Sequence, residues 1–461
     1  MTHSHRKSVS RRTLLRVGGL GFAGLTLSGL LRAEGEHGGT GRSIINIHLD
    51  GGPPQLDTID PKPFAPAELR GEFSPIDTAL SGVKISELMP LIARRADAFA
   101  FIRTLVGSVG QHDAFQCQSG YSAKDLQSFG GRPAIGSVLS SLLGSPSDAA
   151  PTFVDLMQGR PLVRNSARPG FLGPSHQPFR PDLSSMFERE LEAGMKGELA
   201  RLGSDHQLSL ELDERLTLTR LDDRRNLLAG LDRIRRGVDH SGMMQAMDQF
   251  QEQATGILTS GRLAAALDLS QEDPSIQAHY MAPTPSGGTQ STTSEGPNFP
   301  LKFLLARRLI QAGVRMVSVS VSDFDTHSDN FSRMRHLMPM VDHGLHALVT
   351  DLEQQGMLND VVIVVWGEFG RSPRVNANGG RDHWPAVGPC LLAGGGLKTG
   401  QVIGETDRTA AAAVSRPVHY KDVFATLYER LGLDARQLTL IDPQGRPQYL
   451  LDAGDVISEV I

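Results

Sequence analysis

Three short apolar runs each break off into a side chain of a type that can ligate a metal. Ile44–Leu49 leads into Asp50, Val314–Val321 into Asp323 and His327, and Val361–Trp366 into Glu368. Runs of this length, rich in Val and Ile, read as strands buried on both faces. The stretches between them carry helical spacing, so strands alternate with helices as in a mainly parallel sheet with helices on both faces. In open sheets of that kind, ligands collect outside the carboxyl ends of the strands. A fourth candidate, His383, follows on a Gly-rich loop. Carboxylates and imidazoles gathered at strand ends are the donor set for zinc, or for magnesium, calcium or manganese where oxygen predominates.

Composition sets few further limits. The chain has 461 residues, 39% hydrophobic and 21% charged, ample for a soluble core. Ser10-Arg11-Arg12-Thr13-Leu14-Leu15 puts a twin arginine before the glycine-bearing apolar block Val17–Leu31. The block is too short to span a bilayer, and the order of charge and apolar residues is that of an export leader. It resembles a twin-arginine signal, read by the twin-arginine export machinery and ending near Ala33. The expected location is therefore periplasmic or extracellular, with no stable membrane span after processing. Removing residues 1–33 deletes six basic residues and no acidic ones, leaving 40 Lys+Arg against 51 Asp+Glu, a formal charge of −11. That balance argues against sequence-independent nucleic-acid binding, which needs clustered positive charge. The two cysteines, Cys117 and Cys390, sit in apolar surroundings and read as buried free thiols.

Expected elements are a strand at Ala98–Arg103, a helix at Ala134–Leu143, a short strand at Thr152–Leu156, and helices at Phe299–Ala312, Phe331–Gln355 and Tyr420–Leu431. A linker at 34–43 precedes the first part of the α/β core, 44–182. Residues 183–282 carry leucines at helical spacing and no convincing strand, and read as an inserted helical subdomain. Residues 283–297 are rich in Ser, Thr, Gly and Pro and read as a loop, and 298–461 complete the core.

The order of an Asp-Gly-Gly after the first strand, an Asp-x-x-x-His, a strand-terminal carboxylate and a late His resembles the alkaline phosphatase superfamily, which includes sulfatases. Residues 51–63 (GGPPQLDTIDPKP), Gly367–Pro373 (GEFGRSP) and Asp382-His383-Trp384-Pro385, with the leader, resemble one exported sulfatase-like family catalogued as a domain of unknown function. The resemblance implies an alkaline-phosphatase/sulfatase-like α/β fold and a divalent-metal-dependent hydrolase of phosphate or sulfate esters. The substrate would be a small-molecule or polysaccharide ester. Carried over position by position, Asp323, His327 and His383 would hold one metal, with zinc the leading choice. Asp50 and Glu368 would hold or support a second. There the superfamily keeps a His after the carboxylate; this chain has Phe369, leaving that half one imidazole short.

The nucleophile position also departs from the family pattern. Counting ten residues back from Ser119-Gly120 reaches Gly110, which has no side chain to attack with. Ser108 and His112 flank it, and His112 is the candidate catalytic group. Arg371 is the candidate clamp for a phosphate or sulfate oxygen. Each residue also has a plainer use: Asp50 as a turn cap, Glu368 as an ion-pair partner, Arg371 as a loop arginine. Gly110 and Phe369 leave open a second class, a non-catalytic binding or structural protein that keeps the fold.

Overall fold

In the computed structural model, residues 41–122, 124–125, 130–145, 148–157, 167–183, 186–187, 261–281 and 294–461 are described. The expected leader, most of the helical insertion and most of the Ser/Thr/Pro-rich loop lie outside them. The central sheet has eight strands: β1 (Ser43–Leu49), β2 (Phe99–Val106), β3 (Phe153–Leu156), β4 (Met316–Val321), β5 (Val361–Trp366), β6 (Gly388–Gly394), β7 (Gln401–Ile403) and β8 (Val418–His419). Their spatial order is β7-β2-β6-β5-β1-β4-β3, with β8 also paired to β2. β1 lies between β4 and β5, parallel to both, in the register Ile44↔Met316 and Ile44↔Val362. β6 runs antiparallel to both of its neighbours, β5 and β2, and the remaining pairings are parallel.

Two helical layers cover the sheet because successive strand residues face opposite sides. Ile45, Ile47 and Leu49 pack with Val317, Val319 and Val321 against helices α2 (Leu301–Gln311) and α3 (Asn330–Gln354). Ile44, Met316, Val362, Val364 and Trp366 face the other way, towards α1 (Ile135–Leu143) and α4 (Tyr420–Arg430). α4 stops at Gly432, whose φ of +76° suits a residue without Cβ. The mixed α/β architecture with a mostly parallel sheet agrees with the sequence. Of the insertion, the described part forms two short helices, Arg262–Leu267 and Pro274–Tyr280. Cys117 and Cys390 are buried and free. Among the described residues no helix is long and apolar enough to cross a membrane.

The α1/α4 face of the sheet is not uniformly apolar. Asn46 and His48 alternate along β1 and run on to Asp50 just past it, and Ser318 and Ser320 alternate along β4 and run on to Ser322. Partners satisfy much of this seam. Asn46 Nδ2 donates to the Cys117 carbonyl at 2.8 Å and Trp366 Nε1 donates to Asn46 Oδ1 at 2.8 Å, while Ser318 Oγ donates to Gln118 Oε1 at 3.1 Å. The seam runs up to the carboxyl edge, beneath the site.

Candidate metal centre

The carboxyl ends of β1, β2, β4 and β5 share one edge, and the antiparallel β6 begins at that same edge. The direction of β6 therefore brings the loop before it, with His383, to the strand ends that carry Asp50, His112, Asp325, His327 and Glu368. One ligand atom from each of His112, Asp325, His327 and His383 lies within 4.8 Å of the others.

Asp325 is the hub of this outer group. His327 Nε2 lies 3.2 Å and His383 Nε2 3.4 Å from its Oδ1, and His112 Nε2 lies 3.2 Å from its Oδ2. Each imidazole is held at its other nitrogen by an oxygen acceptor. His327 Nδ1 is 2.8 Å from Asp382 Oδ1, His383 Nδ1 is 3.0 Å from the Gly110 carbonyl, and His112 Nδ1 is 3.1 Å from Glu368 Oε1. For His327 and His383 an oxygen on Nδ1 can fix the tautomer and aim a lone pair from Nε2, as the outer partners of metal-bound histidines do. The donor set fits a divalent cation.

Charge follows from the packing. Burial works against the Asp325 carboxylate, but hydrogen bonds from His112, His383 and Arg371 outweigh it and hold the group well below the usual carboxylate range. For His112 burial again opposes charge, yet the carboxylates of Asp325 and Glu368 lift its pKa to about 9. Glu368, fully buried, is held low by His112 and His48 against the same desolvation.

Asp323 is not part of the group. Its φ of +75° is a left-handed conformation that Asp tolerates better than most residues, and the carboxylate turns away to accept the Ser294 Oγ–H at 2.8 Å. The Asp-x-x-x-His spacing thus lands two residues short: Asp325, from Asp-Phe-Asp-Thr-His, meets the imidazoles. Arg371 also differs from the expected anion clamp. It is fully buried, donating to Asp325 Oδ1 at 2.6 Å, to the Gly51 and Gly52 carbonyls and to the Arg381 carbonyl. Its guanidinium orients Asp325 and the Gly51-Gly52 turn instead of facing the open cluster. That turn needs its glycines: Gly51 has a φ of +105°, and a Cβ there would collide with the backbone N of Asp325. At the nucleophile position, Gly110 contributes only its carbonyl, and neighbouring Ser108 Oγ is engaged by the Glu368 carbonyl at 2.6 Å.

Asp50 and Glu368 come together in a second, deeper group with His48, one ligand atom of each within 4.8 Å. Gly51 N–H donates to Glu368 Oε1 at 3.0 Å. His48 and Asp325 are the two residues that the strand-end reading of the sequence passes over. A cavity of about 490 Å³ beside the loop at Gly107–Val109 is lined by Gln116, His419 and Lys421 among others and by none of the clustered ligands, so the centre lies outside it. His419 caps α4, taking the Asp422 backbone N–H on its side chain.

Residues 41–461 match the model of the family described as "Protein of unknown function (DUF1501)". The chain belongs to that family. No curated protein sequence matches it. Among solved structures it is similar to Ps i-CgsB in complex with k-i-k-neocarrahexaose (10% identity, 85% of this chain and 72% of that chain, TM-score 0.37). It is also similar to PsFucS1 sulfatase from Pseudoalteromonas sp. (12%, 88% and 70%, 0.36). A third is the phosphonate monoester hydrolase of Agrobacterium radiobacter (12%, 91% and 77%, 0.33). Likenesses of that order leave the activity to be argued from this chain's own residues.

Proposed function

We propose that this DUF1501 chain is an exported, divalent-metal-dependent hydrolase of phosphate or sulfate esters. The observation that carries the proposal is the convergence of three imidazole Nε2 atoms on Asp325, each ring fixed at Nδ1 by an oxygen. Export rests on the twin arginine and apolar block of the first 33 residues.

In this assignment Asp325, His327 and His383 are the three protein ligands, with zinc the first choice from the donor set. A cation held there would supply Lewis acidity to an ester oxygen and lower the pKa of water. Asp325 Oδ1 faces both His327 and His383, whereas His112 faces Oδ2, so His112 stands beside the ligand set. Its ring, aimed by Glu368 at Nδ1, is placed to move a proton at Nε2 to or from the reacting oxygen. Gly110 makes covalent catalysis from the family's nucleophile position impossible, so direct attack by water is the matching route. Arg371 keeps Asp325 in place. Asp382 and Asn376, which donates to Asp382 Oδ1 at 3.2 Å, keep His327 in place.

A second reading, a non-catalytic centre, is favoured by one observation: His112 lies close enough to the other three for a closed four-ligand site. One set of measurements separates the two. The leaderless protein is loaded with zinc and assayed on aryl phosphate and aryl sulfate, beside His112→Gln. The hydrolase reading expects turnover in the wild type, with His112→Gln keeping its zinc and losing about 10²–10⁴-fold in kcat. Zinc that departs with His112, and no turnover of either ester by the wild type, would establish the closed site.

A further inference from the structure

We infer that the cavity of about 490 Å³ beside the loop at Gly107–Val109 binds an uncharged saccharide, the sugar portion of the ester substrate. That role rests on the hydrolase reading; the binding itself does not. The cavity lies at the same edge of the sheet as the centre. Val106 ends β2 and His419 ends β8, which runs parallel to β2, and both residues line it. Ligands collect outside the carboxyl ends of strands in such sheets, and small-molecule sites have volumes of about 300–1,000 Å³. One loop serves both places. Val109 lines the cavity, and the carbonyl of the next residue, Gly110, holds His383 Nδ1 at 3.0 Å. An ester held at the centre thus has room for its attached group on the other side of that loop.

The walls are polar, but their charges are already matched. Lys421 Nζ lies 2.7 Å from Asp452 Oδ1 and 4.4 Å from the centre of the Tyr121 ring. Asp422 accepts the backbone N–H groups of His419 and Asp455 at 2.9 and 3.0 Å. A sulfate or phosphate group would find two carboxylates there, Asp125 and Asp422, and a lysine already paired, so the anionic end of the ester belongs at the centre. What the cavity offers is hydrogen bonding. Gln116, 6% exposed, donates from Nε2 to the Gly107 carbonyl at 2.6 Å, which fixes the amide and leaves Oε1 without a partner among the described residues. An unpaired buried acceptor costs about 1–3 kcal/mol, and a ligand hydroxyl removes that cost. Asp125 takes both Ser122 N–H and Oγ–H on Oδ2 at 3.0 Å, so Oδ1 remains an acceptor. His419 takes the Asp422 N–H on its ring, so the neutral imidazole carries its own N–H on the other nitrogen. Val106, Val109 and Ala453 add apolar wall between these groups. Acceptors, a donor and apolar patches around an uncharged space suit hydroxyls carried on a carbon ring.

Binding of the leaderless full chain to an array of uncharged oligosaccharides tests the site, with Ala453→Trp and Gln116→Leu beside the wild type. Ala453 is exposed at the cavity wall, so an indole there fills the cavity without entering the core. Gln116→Leu removes the unpaired acceptor at similar volume. The wild type should bind at least one glycan, and each variant should weaken its Kd about tenfold or more by titration calorimetry. Should Gln116→Leu fold poorly, Ala453→Trp decides alone. No glycan bound by the wild type, or one bound equally well by Ala453→Trp, would overturn the sugar site. Aryl sulfate and aryl phosphate carry no sugar, so their turnover by the wild type reports on the hydrolase reading separately. Turnover of an aryl ester with no glycan bound would sink the sugar site and leave the hydrolase. A glycan bound and lost in Ala453→Trp, with neither aryl ester turned over, would leave the sugar site and sink the role assigned to it.

Discussion

Asp323 and Asp325 lie two residues apart at the end of one strand and do unlike work. Asp323 holds Ser294. Asp325 receives Arg371 and faces three imidazoles. Spacing alone pointed to Asp323, because a strand end followed by a four-residue interval to His is all a sequence displays. The left-handed turn that redirects Asp323 is a tertiary outcome, and nothing in its side chain announces it. His327 and His383 were legible because each lies just past an apolar run or on a Gly-rich loop. His112 was legible only through its nearness to Gly110. Asp382 is a test at this scale. Replacing it with Ala leaves His327 Nδ1 without its acceptor, and zinc affinity of the outer site should fall about 10–100-fold by competition titration. Unchanged affinity would remove Asp382 from the centre.

At the scale of elements, the strands were easy to find and their polar alternation was easy to overlook. β1 reads as an apolar run, yet its second face carries Asn46 and His48, with Asp50 one residue past its end. A period-2 reading of that segment holds the signal for His48. The antiparallel course of β6 was not legible, since no run of residues encodes strand direction, but that course is what brings His383 to the site. The long helix α3 makes a separate prediction. Asp342, 1% exposed, accepts the backbone N–H groups of Leu91 and Ile92 at 2.9 and 2.8 Å, at the start of the short helix Pro90–Arg94. Burial raises its pKa to about 6, and the two N–H bonds only partly offset this. A carboxyl with a folded pKa above its unfolded value of about 3.9 binds its proton more tightly in the native state. Its contribution to stability is complete below about pH 4 and is lost as pH rises through about 6. Unfolding free energies of wild type and Asp342→Asn should therefore converge or cross between those values, with the wild type losing about 1–3 kcal/mol relative to the variant. Parallel curves would contradict the shift.

For the whole molecule, distant chain segments are tied at the site by buried charge. Arg381 and Asp57, both fully buried, pair through Nε–Oδ2 at 2.8 Å and Nη2–Oδ1 at 3.0 Å. Asp57 lies just beyond the Gly51-Gly52 turn, and Arg381 lies two residues before His383. Removing one partner strands the other, so Arg381→Met should cost about 3–5 kcal/mol in denaturant unfolding. Adding Asp57→Leu should recover much of that loss. The α/β class and the gathering of candidate ligands at the carboxyl edge were legible in the sequence, because strand-end carboxylates in a parallel sheet have one place to meet. Which of them come together depends on loop conformation, and that was not. The most direct test of the centre is zinc-edge anomalous diffraction from crystals of the zinc-loaded, leaderless chain. A peak about 2 Å from Nε2 of His327 and His383 and bonded to Asp325 is the predicted result. A peak on Asp323, or none at the carboxyl edge, would contradict it.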